Sequence, residues 1–147
     1  MGFTLYYRST RPVAPEESQA IERDAIAARG GRTWLSCEPI KFYRVGDDGH
    51  LVGGSKPNLQ PHPEDAAAAA RSSLPDGTTR DLIDILCQVS RKHGVDWQFS
   101  HDAGPAPIGY IRSGVCDDAV LVQTELFADL GDLIAGGMEG DVDEDLA

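Results

Sequence analysis

Alternating apolar and polar positions predict five strands in this chain. In the first, Phe3, Leu5 and Tyr7 alternate with polar-tipped side chains, which is typical of a half-buried strand with aromatic content. Tyr6 and Arg8 then share its second face. Four further segments favour strands for the same reason: 33–42, 50–54, 95–101 and 108–113.

Helical spacing of apolar residues predicts two long helices. One begins at Pro15, carries Ile21, Ala25 and Ala28 on one side with Ile26 broadening the stripe, and ends before Gly30. The other is capped by Thr78 or Thr79 and ends at Gly94. Its predicted apolar stripe comprises Leu82, Ile83, Leu86, Val89 and Ser90. The spacing also predicts a short alanine-rich helix at 64–72 and a C-terminal helix at 126–134, whereas 119–122 fits a strand or the start of a helix.

The segment Arg32–Lys56 reads as a long hairpin with an interruption. Leu35 and Cys37 hold the odd positions of its first strand, but after Pro39 the apolar residues move to even positions. A one-residue slip turns every side chain to the opposite face, so we expect a β-bulge or bend at Glu38-Pro39. Gly46–Gly49 is rich in turn formers and predicts the tip of the hairpin.

The predicted element order, β-α-β-β-(α)-α-β-β-α, indicates an α+β fold. Its first part is the β-α-β-β-α-β arrangement of ferredoxin-like folds. We expect an antiparallel or mixed sheet with helices on one face, followed by a C-terminal strand and helix. The expected organisation is a single domain at 1–137 and an acidic, disordered tail at 138–147.

The chain of 147 residues has a formal charge of −11, and five of its acids lie in the last nine residues. The rest keeps −6. Because nucleic-acid affinity depends on Lys and Arg contacts with phosphate, direct nucleic-acid binding is disfavoured. A basic protein partner, attracted by long-range steering, is favoured instead. No apolar run has the ~20 residues of a membrane helix, no signal peptide is evident, and three widely spaced cysteines indicate reduced thiols. We therefore expect a cytoplasmic protein.

A catalytic site based on cysteine would centre on Cys37, beside the expected bulge, with His50 or His101 as the base. The neighbouring Glu38 opposes this chemistry, because a carboxylate raises the pKa of a nearby thiol. Cys37 is also in phase with Leu35, which favours a packed, inert thiol. The glycine-rich 49–56 segment lacks the order of a phosphate loop.

A metal site is most plausible at His101, Asp102 and Cys116, if the two strands between them form a hairpin. However, no pair of these residues has the close Cys/His spacing of a structural zinc site. The alternative is that His101 ends an apolar face at the rim of the sheet and Cys116 is a small core residue. We expect no metal or cofactor.

Tyr6, Arg8, Trp34 and Glu38 are the candidate binding surface. The sequence favours a non-enzymatic protein-interaction module that binds a basic partner, with the physical character of immunity or antitoxin-type inhibitors: small, acidic and without catalytic motifs. Two alternatives stay open. One is a small enzyme with a cysteine-centred site near the hairpin. The other is a small-ligand-binding domain lined by Trp34, Tyr6 or Trp97.

Overall fold

The computed structural model describes residues 4–44, 48–57, 62–101 and 104–123. It is an α+β fold, with one six-stranded antiparallel sheet and helices packed against it. The strands are β1 (Leu5–Pro12), β2 (Phe42–Arg44), β3 (His50–Ser55), β4 (Trp97–His101), β5 (Gly104–Arg112) and β6 (Val115–Cys116). The helices are α1 (Pro15–Arg29), α2 (Pro63–Arg71) and α3 (Thr79–His93), and residues 118–123 are also helical.

The strands lie in the order β2-β3-β1-β4-β5-β6. Every neighbouring pair is antiparallel, which decides between the two kinds of sheet that the sequence allowed. The N-terminal strand β1 therefore lies inside the sheet, between β3 and β4. Side chains on β1 consequently have neighbours on both sides.

One face of the sheet carries the core. Leu5 and Tyr7 of β1 and Trp97 and Phe99 of β4 are almost fully buried there, in one cluster with apolar residues of α1 and α3. The stripe predicted on α3 is confirmed: Leu82, Ile83, Leu86, Val89 and Ser90 are all buried.

The broader stripe predicted on α1 is wrong. Ser18, Ile21 and Ala25 are its buried residues, whereas Ala28 is exposed and Ile26 is 52% exposed. These three follow the spacing i, i+3, i+7, so a single narrow line of side chains packs on the core.

Both ends of α3 carry the terminal signals that the sequence predicts. Thr78 accepts a hydrogen bond from the Asp81 amide, and the Asp81 carboxylate accepts one from the Thr78 amide, forming a capping box. At the other end Gly94 has a φ of 63°, a left-handed conformation that glycine adopts without steric cost.

The predicted strand at 33–37 is wrong. Trp34 has a φ of 54°, which interrupts an extended chain, and Asp76 accepts hydrogen bonds from the amides of Leu35 (2.8 Å) and Ser36 (3.0 Å). A side chain rather than a neighbouring strand satisfies these donors. Only Cys37 makes a bridge, to Pro57, and the hairpin proper is β2 with β3.

Other boundaries also differ from the prediction. Strand β1 continues to Pro12, β5 begins at Gly104, and β6 was missed because a two-residue strand has no periodicity. The helical residues 118–123 settle the alternatives at 119–122. The C-terminal helix predicted at 126–134 and the acidic tail lie outside the described residues. Within the described ranges, no helix is long and apolar enough to cross a membrane.

Candidate functional site

The face of the sheet opposite the core carries a row of aligned side chains, which are partly exposed except for the buried Val52. Strand pairing aligns Tyr43 with Val52, Val52 with Arg8, Arg8 with Gln98, and Gln98 with Tyr110. One residue from each of five consecutive strands thus lies in a single line. Tyr43 is 46% exposed, and Arg8, Gln98 and Tyr110 are intermediate. We call this surface the open face.

Tyr6 lies on the open face in the adjacent row, paired with Gly54 on one side and Ser100 on the other. A Cβ at Gly54 would lie 3.0 Å from the Tyr43 hydroxyl and 3.1 Å from Cδ1 of Tyr6. The missing side chain therefore lets both tyrosines approach the backbone at the same point. Burial, and then the nearby Tyr6, raise the pKa of Tyr43.

The two arginines of the open face are each paired with an acid. Arg8 contacts Asp48 at 2.9 Å, and Arg112 contacts Asp117 at 3.3 Å. The Arg112 guanidinium also stacks on the Tyr110 ring, 4.3 Å from its centroid. The pairing leaves the face close to electrically neutral, and the stack shows that a cation can sit over one of its rings.

Asp48 is positioned by more than its ion pair. Its carboxylate also accepts a hydrogen bond from the His50 amide at 2.9 Å. The hydrogen bond from this amide, and then the one from Arg8, hold the pKa of Asp48 below its ordinary value. The carboxylate that neutralises Arg8 is therefore ionised at neutral pH.

The structure divides the four residues predicted as one binding surface. Tyr6 and Arg8 belong to the open face. Trp34 instead donates its indole N–H to the Arg29 carbonyl at 2.7 Å and packs against Gly77. Glu38 accepts a hydrogen bond from the Lys56 amide at 2.8 Å, so it bridges two chain segments.

Trp34 borders a cavity of about 350 Å³ between the 33–35 segment and α2. Its lining residues are Thr33, Trp34, Leu35, Asp65, Ala68 and Ala69. This volume is at the lower end of the range for small-molecule sites. Trp97, the other tryptophan considered for a ligand pocket, is fully buried in the core.

Cys37 is buried, with 1% of its surface exposed. Burial is the main cause that raises the pKa of its thiol to about 11, and the neighbouring Glu38 and Asp76 act in the same direction. A thiol in this state is the opposite of an activated nucleophile. The geometry therefore agrees with the packed thiol that the strand phase favoured.

The histidines named as partners of Cys37 have contacts elsewhere. His50 Nδ1 lies 2.7 Å from the Ser9 carbonyl oxygen, on the strand pair β1–β3. His101 ends β4, opposite Leu5 and Gly104. Nothing in the described contacts brings either imidazole to the Cys37 sulfur.

The strand register separates the metal candidates. Cys116 is paired with Ile111, which is paired with Trp97, whereas His101 lies four residues further along β4. At ~3.3 Å per strand residue, this is about 13 Å along the sheet, in addition to the two-strand separation across it. Asp102 lies outside the described residues. In the part of the chain that the structure describes, no group of three or more His, Cys, Asp or Glu side chains could hold a metal ion.

The tertiary structure brings together two other cysteines that sequence reasoning did not pair. Cys87 on α3 and Cys116 on β6 line the same cavity, of about 480 Å³. They are 29 residues apart, and no short motif links them. Only the contact between α3 and the two-residue strand β6 reveals this pair.

The negative charge is distributed unevenly along the chain. All thirteen Lys and Arg residues and fourteen of the twenty-four acids lie in the described ranges, so this part has a formal charge of −1. Residues 124–147 contain eight acids and no Lys or Arg. The acidity expected of the whole body is therefore concentrated in the C-terminal sequence.

No protein-family model, curated protein or solved structure matches this chain at a significant level.

Proposed function

We propose that this chain is a non-enzymatic protein-interaction module whose open face binds a segment rich in Arg or Lys from a basic protein partner. The observation that carries the proposal is the line of side chains from Tyr43 to Tyr110, with Tyr6 beside it. Tyrosine supplies a large contact area at a low entropic cost and is enriched in protein interfaces.

Charge complementarity supports a basic partner. The open face has paired its own arginines with Asp48 and Asp117, so it does not repel a cation strongly. Residues 124–147 carry eight acids without a compensating base. Such a segment accelerates the encounter with a positively charged partner, and this effect weakens as salt rises.

The tyrosine rings provide the short-range contact. A guanidinium or ammonium group is attracted to the face of an aromatic ring, with ~0.5–1 kcal/mol at exposed sites. Arg112 over Tyr110 is an internal example of this geometry. Tyr6 and Tyr43, which meet above Gly54, offer a second place for a cation.

The test uses the full chain and a fluorescent peptide of repeated Arg-Gly units, with a Glu-Gly peptide of equal length as the control ligand. We expect anisotropy to show binding of the basic peptide only. Tyr6→Ala and Tyr43→Ala should each weaken it about fivefold, corresponding to ~1 kcal/mol. Replacing the eight acids of 124–147 by Asn and Gln should slow association and flatten its salt dependence.

The matched control is Ile26→Ala, which truncates a comparably exposed side chain on α1, away from the open face. It should leave peptide affinity unchanged. Equal binding of both peptides, or wild-type affinity in the two tyrosine variants, would refute the proposal.

We propose that the core of the fold is ferredoxin-like. The support is the order β2-β3-β1-β4 among the first four strands, with α1 between β1 and β2 and α3 between β3 and β4. Strands β5 and β6 then extend the sheet beyond β4. We also propose a cytoplasmic location, since the three cysteines are free thiols.

A small ligand bound beside Trp34 is the second candidate function, favoured by the cavity between 33–35 and α2. Because Trp97 is buried, a ligand in this cavity should change the fluorescence of Trp34 alone. A metabolite screen on wild type and Trp34→Phe tests this. A signal that persists in Trp34→Phe would exclude the cavity as its source.

A further inference from the structure

Cys87 and Cys116 face one cavity from two different elements. The cavity lies between α3 and the β5–β6 hairpin, and Cα atoms of α3 and β6 lie within 8 Å of each other. Both cysteines are free and only partly buried. Their thiols therefore border a space that a small ligand can enter, unlike that of Cys37 in the core.

The walls of this cavity combine apolar and charged groups. Ile83, Leu121 and Val115 supply the apolar part. Arg80 and Arg91 supply two guanidinium groups, and Asp84, 3.6 Å from Arg80, supplies one carboxylate. Arg91 is held in place by its hydrogen bond to the Gly114 carbonyl at 2.9 Å.

Some nearby charged groups raise the pKa of the two thiols and others lower it. Burial raises the pKa of Cys87, Asp84 adds to the increase, and Arg91 and Arg80 reduce it. Burial also raises the pKa of Cys116 to about 12, and Cys87, Asp117 and Asp118 act in the same direction against Arg80. The effect of Cys87 on the pKa of Cys116 agrees with the position of both residues in the lining of one cavity.

We propose that Cys87 and Cys116 together bind one soft monovalent metal ion of the Cu(I) class through their two sulfur atoms. Thiolates are soft ligands and select such ions. Zinc is disfavoured, because its structural sites need four ligands and its catalytic sites three, and the described residues contain no cluster of that size.

Charge balance supports the same ion. Each thiol releases its proton to the solvent when its sulfur binds the metal, so two thiolates and one monovalent cation carry a net charge of −1. Arg80, Arg91 and Asp84 border this position with a combined formal charge of +1, which compensates the −1 of the bound site. The site is independent of the open face, since it lies between α3 and β6 on the helix-bearing side of the sheet.

The experiment is an anaerobic titration of the full, reduced chain with Cu(I) in competition with a chromophoric Cu(I) chelator. We expect one ion per chain. Cys87→Ser and Cys116→Ser should each weaken binding by more than the ~100-fold that changes outside the ligand shell reach. Cys37→Ala is the control and should retain the wild-type affinity.

A second measurement does not depend on the folding of variants. Alkylation followed by peptide mass spectrometry should show that Cu(I) protects Cys87 and Cys116 together, at one equivalent. Retention of binding in either single serine variant, dependence on Cys37, or the absence of binding by the reduced chain would overturn the proposal. A Cys87–Cys116 disulfide that forms in air, without Cu(I) binding after reduction, would likewise replace the metal site by a redox pair.

Discussion

The Tyr7 ring packs over Gly53, its direct partner on the neighbouring strand. A Cβ at Gly53 would collide with this ring and with the Lys41 carbonyl oxygen. The Tyr7 hydroxyl in turn lies 2.9 Å from Ser55 Oγ and 3.1 Å from the Lys41 carbonyl oxygen, and it accepts a hydrogen bond from the Lys41 amide. One buried tyrosine thus joins β1, β3 and the segment before β2.

Gly53→Ala should destabilise the protein, because neither the backbone carbonyl of Lys41 nor the buried ring can move away cheaply. We expect a loss of about 1–3 kcal/mol in the free energy of unfolding, the usual cost of overpacking a core. Urea denaturation followed by tryptophan fluorescence measures it. Gly31→Ala is the control, since a Cβ there would meet nothing within 4 Å, and it should change stability by less than ~0.5 kcal/mol. Equal effects of the two substitutions would contradict the packing described for Gly53.

Tyr7→Phe keeps the ring and removes only the hydroxyl. The buried contact with Ser55 Oγ is lost and the part-buried Lys41 amide loses its acceptor, so we expect a cost of about 1–3 kcal/mol, the usual penalty when a hydrogen-bonding partner is removed. Tyr43→Phe, on the open face, should stay within ~0.5 kcal/mol of wild type. In a double-mutant cycle, Tyr7→Phe and Ser55→Ala should be non-additive, because the two hydroxyls contact each other.

How far the sequence could predict this fold depended on the range of the interactions involved. The helix α3 followed from local signals alone: a capping box, an apolar stripe and a terminal glycine. The segment 33–37 has a regular alternation that is typical of a strand. Its amides at Leu35 and Ser36 instead donate to the carboxylate of Asp76, about forty residues away. No local pattern contains that contact. The sequence therefore predicts a helix or strand reliably where residues within that element satisfy its backbone hydrogen bonds.

The same distinction applies to the candidate site. Alternation along β1 was enough to place Tyr6 and Arg8 on one face, and both lie on the open face. Tyr43 and Tyr110 were missed because their alignment with Arg8 exists only through cross-strand register. The pairing of Cys87 with Cys116 likewise requires the tertiary structure.

Asp76 should make stability depend on pH in acid. Burial acts to raise the pKa of its carboxyl, but hydrogen bonds from Ser36, Leu35 and Gly77 outweigh it, and the pKa is lowered. The stabilisation is therefore complete above the unfolded pKa of about 3.9 and is lost as the pH falls through the folded value. Asp76→Asn should lower stability at pH 7 by about 1–3 kcal/mol and flatten the acid limb of the stability profile.

Denaturation between pH 2 and 7 measures this effect, with Asp84→Asn as the control. Asp84 is exposed and pairs only loosely with Arg80, at 3.6 Å, so its loss should cost less than ~0.5 kcal/mol. An Asp76→Asn profile parallel to that of wild type would show that the carboxylate charge contributes nothing to the 33–37 segment.

The three thiols should differ in reactivity, and their order separates an interaction module from a cysteine enzyme. Cys37 is buried and its pKa is raised to about 11, so we expect iodoacetamide to modify it at neutral pH only when the chain unfolds. Burial also raises the pKa values of Cys87 and Cys116, but both are only partly buried and line a cavity, so we expect their greater accessibility to let them react earlier. Peptide mass spectrometry across a urea series assigns each rate, and labelling of Cys37 should rise with the unfolded fraction. Modification of Cys37 in the native state, faster than that of the other two cysteines, would instead support an enzyme that uses Cys37 as its nucleophile. Only an accessible thiolate reacts in that way.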